Sequence, residues 1–124
     1  MNGAAAIAIG GALGSLLRYG ASNGVHLVLG REFPYGTLTV NVLGSFLVGL
    51  LSVWFLDRSM LSDAWRLGVL VGVLGGFTTF SSFSLETVSL ATGGHPVRAL
   101  LNVAGNVLLC LLATALGMAL MRKV

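Results

Sequence analysis

The side chains with chemical capacity are few, and they sit inside apolar stretches. They are Asn41, the run Gly75-Gly-Phe-Thr-Thr-Phe-Ser-Ser-Phe-Ser84, and the two charges Arg18 and Glu86. Polar side chains inside a bilayer are costly, so they face a partner helix or an aqueous path. The Asn41 amide offers two donors and an acceptor. It serves either a transported species or an interhelical hydrogen bond that only holds helices together. The run at 75–84 places two glycines before a series of hydroxyls, which weakens a membrane helix in its middle. A helix broken at that depth frees carbonyl oxygens, and such breaks commonly hold ions. The other reading is a continuous helix whose hydroxyls bond carbonyls one turn back. Phe80 and Phe83 are three apart and share a helical face. They are core or lipid-facing fillers, or, interleaved with Ser81, Ser82 and Ser84, they present positive ring edges that suit a small anion.

The chemistry of an enzyme is missing from this set. No nucleophile stands with a base, no carboxylates pair, and no phosphate loop occurs. Gly10-Gly-Ala-Leu-Gly14 is not a dinucleotide fingerprint, because no strand precedes it. Arg18 and Glu86 form a structural pair or reach the interface. His26 and His95 stand alone near loops. Cys110 is the single cysteine, so no intrachain disulfide and no Cys/His metal cluster is expected.

Four elements must position these residues. Of 124 residues, 56% are hydrophobic and 9% charged, against about 25% charged in a soluble domain. The mean hydropathy is +0.94. A membrane crossing takes roughly 20 apolar residues, and the chain holds about four such stretches and little else. We therefore expect one all-α transmembrane domain over residues 1–124. The spans are read as Gly3 to Leu29, Thr37 to Leu56, Leu67 to Leu90 and Val97 to Met121. A loop at Gly30–Gly36, a polar loop at Asp57–Arg66 and a tight Gly93-Gly-His-Pro96 turn join them. The N-terminal stretch lacks the basic leading region of a signal peptide and reads as the first span, retained. The net charge of +3 carries no nucleic-acid signal, since the seven basic residues are scattered. Most of them fall between apolar runs, beside lipid head groups.

Small residues recur four apart at Gly10 and Gly14, Ser45 and Gly49, Gly68 with Gly72 and Gly76, and Ala113 and Gly117. In lipid this spacing permits close helix approach. Four spans put Arg58, Arg66, Arg122 and Lys123 on one side, against Arg31 and Arg98, joined by Arg18 if it reaches the interface. That bias is weak for the rule that basic loops stay cytoplasmic. It leaves open both a fixed orientation and insertion in either one.

Over essentially its full length the sequence resembles the CrcB/Fluc family of fluoride channels. The resemblance rests on Gly10-Gly-Ala-Leu-Gly-Ser-Leu-Leu-Arg18, on Tyr35-Gly-Thr-Leu-Thr-Val-Asn41, and most on Gly75-Gly-Phe-Thr-Thr-Phe-Ser-Ser-Phe-Ser-Leu-Glu86. It implies a dual-topology, antiparallel homodimer in the cell (inner) membrane, with two fluoride pores, a broken third helix and a central structural sodium ion (Na+). Phe80 and Phe83 match the family's pore phenylalanines and Asn41 its pore asparagine. Ser81, Ser82 and Thr114 match a polar track along the anion path. Gly75 and Thr78 match the backbone carbonyl donors to sodium, Arg18 a basic residue near the anion entrance, and Glu86 an acidic residue of the third helix. Three positions depart from the pattern. Ser82 stands for threonine, Phe77 for leucine, and Cys110 for a serine of the track, where a thiol is a weaker donor.

Fluoride is small and strongly hydrated, so its path must replace water with dense donors and no trapping cation. An inside-negative potential drives such an anion out by about 2.3 kcal/mol per charge per 100 mV, with no fuel. Two rivals of other classes remain. A small proton-coupled multidrug exporter needs a titratable carboxylate in its cavity, yet the only intramembrane acid is Glu86. A structural membrane subunit has no use for the polar run at 78–84.

Overall fold

The computed structural model describes residues 1–124. It is all-helical, and four helical stretches are long and apolar enough to cross a membrane: Gly3–Leu29, Tyr35–Asp57, Asp63–Thr92 and Pro96–Lys123. The second, at 23 residues, measures about 34 Å at 1.5 Å per residue, enough for a hydrocarbon layer of about 30 Å.

Local chemistry sets the ends. Asn2 caps the first span, its side chain accepting from the Ala5 amide at 2.8 Å. Gly30, at φ 84°, ends that span. The other three spans are longer than the hydropathy pattern suggests. The second starts at Tyr35, directly after Pro34. The third starts at Asp63, so the last four residues of the expected Asp57–Arg66 loop are helical. There the Ser62 carbonyl accepts from the Trp65 and Arg66 amides, and Asp63 pairs with Arg66 at 3.3 Å one turn on. Acid first and base after is the order a helix dipole favours. The third span runs on to Thr92, and the fourth opens at Pro96, whose missing N–H costs nothing in a first turn. Hydropathy registers apolar length and misses these polar first and last turns.

The small-residue spacings are contact surfaces. A methyl group on Gly10 or Gly14 would overlap the Gly68 or Val73 carbonyl, and one on Gly76 would meet Gly11 O at 2.7 Å. The first span thus lies backbone to backbone on the first half of the third. In the same way Gly49 abuts the Thr114 carbonyl and Gly117 the Phe46 carbonyl, joining the second span to the end of the fourth. The second half of the third span packs on the start of the fourth. Two stretches, Leu67–Val73 and Gly105–Leu109, are wound as π-helix. Few side chains are fully enclosed, and Ile9, Leu13, Leu16, Leu108 and Leu112 point outward, as lipid contact requires.

Candidate functional site

Within the third span, Thr78 (φ −85°, ψ 157°) and Thr79 (φ −150°, ψ 120°) are extended, between helical Leu74–Phe77 and Phe80–Thr92. Gly75 and Gly76 remain helical, and the extended residues are the two hydroxyls that follow them in the same run. The second span meets this link at Gly44, where a side chain would overlap Thr78 Cγ2. Thr79 then caps the following helix: Ser82 N–H donates to Thr79 Oγ1 at 3.2 Å.

The extended link redirects hydrogen bonds. The Thr79 N–H, four residues past Gly75, donates to Asn41 Oδ1 at 2.8 Å. The Ser82 N–H, four residues past Thr78, goes to the Thr79 hydroxyl. The Gly75 and Thr78 carbonyls therefore lose their ordinary helical donors. The next carbonyl along, Gly76 O, accepts from Arg18 Nε at 3.0 Å.

Asn41 is buried beside the link. Its Nδ2 donates to Thr79 O at 3.0 Å and to Asn106 Oδ1 at 2.9 Å. Both amide hydrogens are thereby committed to protein acceptors within one chain. Phe83 is buried, whereas Phe80 is 77% exposed. Their rings meet edge to face, centroids 5.3 Å apart at 66°. Ser81 and Ser82 hydroxyls lie 3.3 and 3.2 Å from Thr79 Oγ1. Ser84 follows the blander alternative and bonds Phe80 O one turn back, at 3.0 Å.

A groove of about 440 Å³ gathers Asn41, Gly75, Thr78, Phe80 and Phe83, with Asn106 and Cys110 on its wall. The other candidates lie elsewhere. Thr114 donates to the Ser45 carbonyl at 3.1 Å, between the second and fourth spans. Arg18 and Glu86 do not pair with each other. Glu86 Oε1 accepts from Thr37 at 2.7 Å, and Oε2 is enclosed with no partner. Sequence reasoning missed Asn102, Asn106, Thr79 and Thr37. Asn102 and Asn106, one helical turn apart in an apolar span, carried the signal that singled out Asn41.

The sequence pattern of the family described as CrcB-like protein, Camphor Resistance (CrcB), matches residues 5–118. The chain belongs to the CrcB family. Among CrcB relatives, a protein of Magnetococcus marinus named "Fluoride-specific ion channel FluC" is 52% identical, over 95% of this chain and 96% of that one. A relative of the same name from Geobacter metallireducens is 49% identical over 90% of each chain. Another from Methylococcus capsulatus is 52% identical over 95% of this chain but 52% of its own length. With four membrane-length helices, this CrcB chain is a multi-pass membrane protein; as a member of a family of ion channels it is not an enzyme.

Proposed function

We propose that the protein is a fluoride-selective channel that lets fluoride leave the cytoplasm passively and so protects against its toxicity. The observation that carries this reading is near-full-length similarity to relatives named as fluoride-specific channels. The inner membrane is its place, and two chains in opposite orientations are its working form. Self-association suits the groove, which one chain leaves open beside an exposed Phe80.

In this reading the Thr78–Thr79 link is a helix break at mid-membrane. The anion passes the edges of Phe80 and Phe83 and the hydroxyls of Ser81, Ser82 and Thr114, with Arg18 toward the entrance. Asn41 contributes by holding the link, since its donors are taken. A sodium ion fits the Gly75 and Thr78 carbonyls, whose usual donors are diverted. Two carbonyls per chain become four across a twofold axis, and hard, neutral oxygens suit a monovalent ion. Bound there, a sodium ion would supply positive charge beside those carbonyls.

The exporter reading is weaker, because the one intramembrane acid is hydrogen-bonded to Thr37 and lies outside the groove. Purified protein in fluoride-loaded liposomes, read with a fluoride electrode, tests the proposal. Fluoride efflux that needs only a charge-balancing potassium leak supports it. Absence of efflux, or transport driven only by a proton gradient, refutes it.

A further inference from the structure

Asn102 and Asn106 are among the most enclosed side chains of the fold, 0% and 5% exposed, and they are the two buried polar side chains of the fourth span. Burying an amide is unfavourable unless its groups are bonded. Here they are bonded in one direction only. Phe83 O is a carbonyl and can only accept, so the Thr87 hydroxyl donates to it, at 2.7 Å. With its hydrogen spent, Thr87 Oγ1 must accept, and Asn102 Nδ2 donates to it at 2.9 Å. Asn102 Oδ1 then faces Asn106, whose Nδ2 donates at 3.0 Å, and also bonds Asn102 O at 2.9 Å. Asn106 Oδ1 is left facing Asn41, whose Nδ2 donates at 2.9 Å. Asn41 Oδ1 therefore points at the Thr79 N–H, the one orientation in which it can accept from that donor.

We propose that Asn102 and Asn106 are positioning residues: a one-way amide relay, anchored on Phe83 O, that fixes the orientation of Asn41 and through it the Thr79 peptide. The relay clamps the helix that carries Phe80 and Phe83 at two points, the peptide before its first turn and the Phe83 carbonyl. Reversing any one amide would set donor against donor or acceptor against acceptor along the line. The geometry stands by itself; the consequence for flux rests on the fluoride-channel reading.

The test compares Asn106→Thr with Asn106→Val, which have the same shape. A threonine hydroxyl donates to the carbonyl one turn back and leaves its oxygen to accept from Asn41. Valine does neither. Two readouts are taken on the purified dimer: amide hydrogen exchange at Thr79 in detergent, and fluoride efflux from liposomes. Losing a buried hydrogen bond changes an opening equilibrium by about tenfold or more. Thr79 should exchange at least about tenfold faster in the valine variant than in the threonine variant, with a comparable fall in efflux. Equal Thr79 exchange in the two overturns the relay. Unequal exchange with equal efflux, in a preparation whose wild type passes fluoride, overturns its role in conduction. A wild type that passes no fluoride, with exchange still unequal, refutes the channel reading and leaves the relay standing. Thr87→Val disturbs only the far anchor and serves if Asn106→Val does not fold. Wild-type exchange at Thr79 in that variant overturns the relay as well.

Discussion

The side chain of Asn41 and the peptide of Thr79 satisfy each other on both polar groups: Thr79 N–H donates to Oδ1 at 2.8 Å and Nδ2 donates to Thr79 O at 3.0 Å. An asparagine amide has the same donor and acceptor pair as a peptide, so it stands in for the helical partners the link has lost. Asn41→Leu keeps comparable bulk and removes both contacts. It leaves the Thr79 N–H, the Thr79 carbonyl and Asn106 Oδ1 without partners, each at about 1–3 kcal/mol. We expect a clearly lower melting temperature in detergent and loss of fluoride efflux together. Lost efflux with an unchanged melting temperature would mean that Asn41 meets the anion directly and holds nothing.

Two glycines of the first span, three positions apart, differ sharply in their surroundings. A methyl group on Gly14 would overlap the Val73 carbonyl, whereas one on Gly11 meets nothing within 4 Å. Gly11→Ala should be neutral or mildly stabilising, since alanine is favoured over glycine in a helix by roughly 0.5–1 kcal/mol. Gly14→Ala must push the first and third spans apart and should reduce the yield of folded protein on size exclusion. Equal behaviour of the two variants would contradict the backbone contact.

Antiparallel assembly makes a simple topological demand. A tag on the C-terminus after Arg122 and Lys123 should be reached by an impermeant reagent from both faces of sealed vesicles, in similar amounts. Labelling from one face alone would remove the dual-topology proposal.

The sodium proposal is tested by exchange. Replacing every alkali cation with a large organic cation should weaken the dimer or stop transport, because the Gly75 and Thr78 carbonyls then have no common ligand. Full activity without alkali metal would sink the idea.

Much of this arrangement was legible before any coordinates. Four spans follow from hydropathy alone, and the spacing of Gly10, Gly14, Gly68, Gly72 and Gly76 marks the faces that touch. The polar run marked the unusual stretch of the third span. Which residues of that run depart from the helix was not legible, because the departure at Thr78 and Thr79 involves a partner, Asn41, supplied from another span. For the same reason the sequence left Arg18 and Glu86 as either a structural pair or two residues reaching the interface. Which polar group Arg18 finds depends on how the first span lies against the third, and there it donates to Gly76 O. Spacing within one helix does not encode such crossings.

Phe80 and Phe83 looked equivalent in the sequence, and their surroundings separate them. Phe83 is 8% exposed and sits within the chain, while Phe80 is 77% exposed on the open side of the groove. Leucine is apolar and slightly smaller, and such swaps in a packed site usually cost less than about 1.5 kcal/mol. Phe83→Leu should therefore show a small loss of stability within the chain, and Phe80→Leu almost none unless a second chain covers it. Function should not follow that order. Leucine lacks the positive ring edge, so if the edges hold fluoride both variants lose most efflux, however little stability they lose. The check is efflux from loaded liposomes beside melting temperature and a size-exclusion profile. Efflux that falls only in step with stability would make both rings packing, and wild-type efflux in both would move the anion path elsewhere.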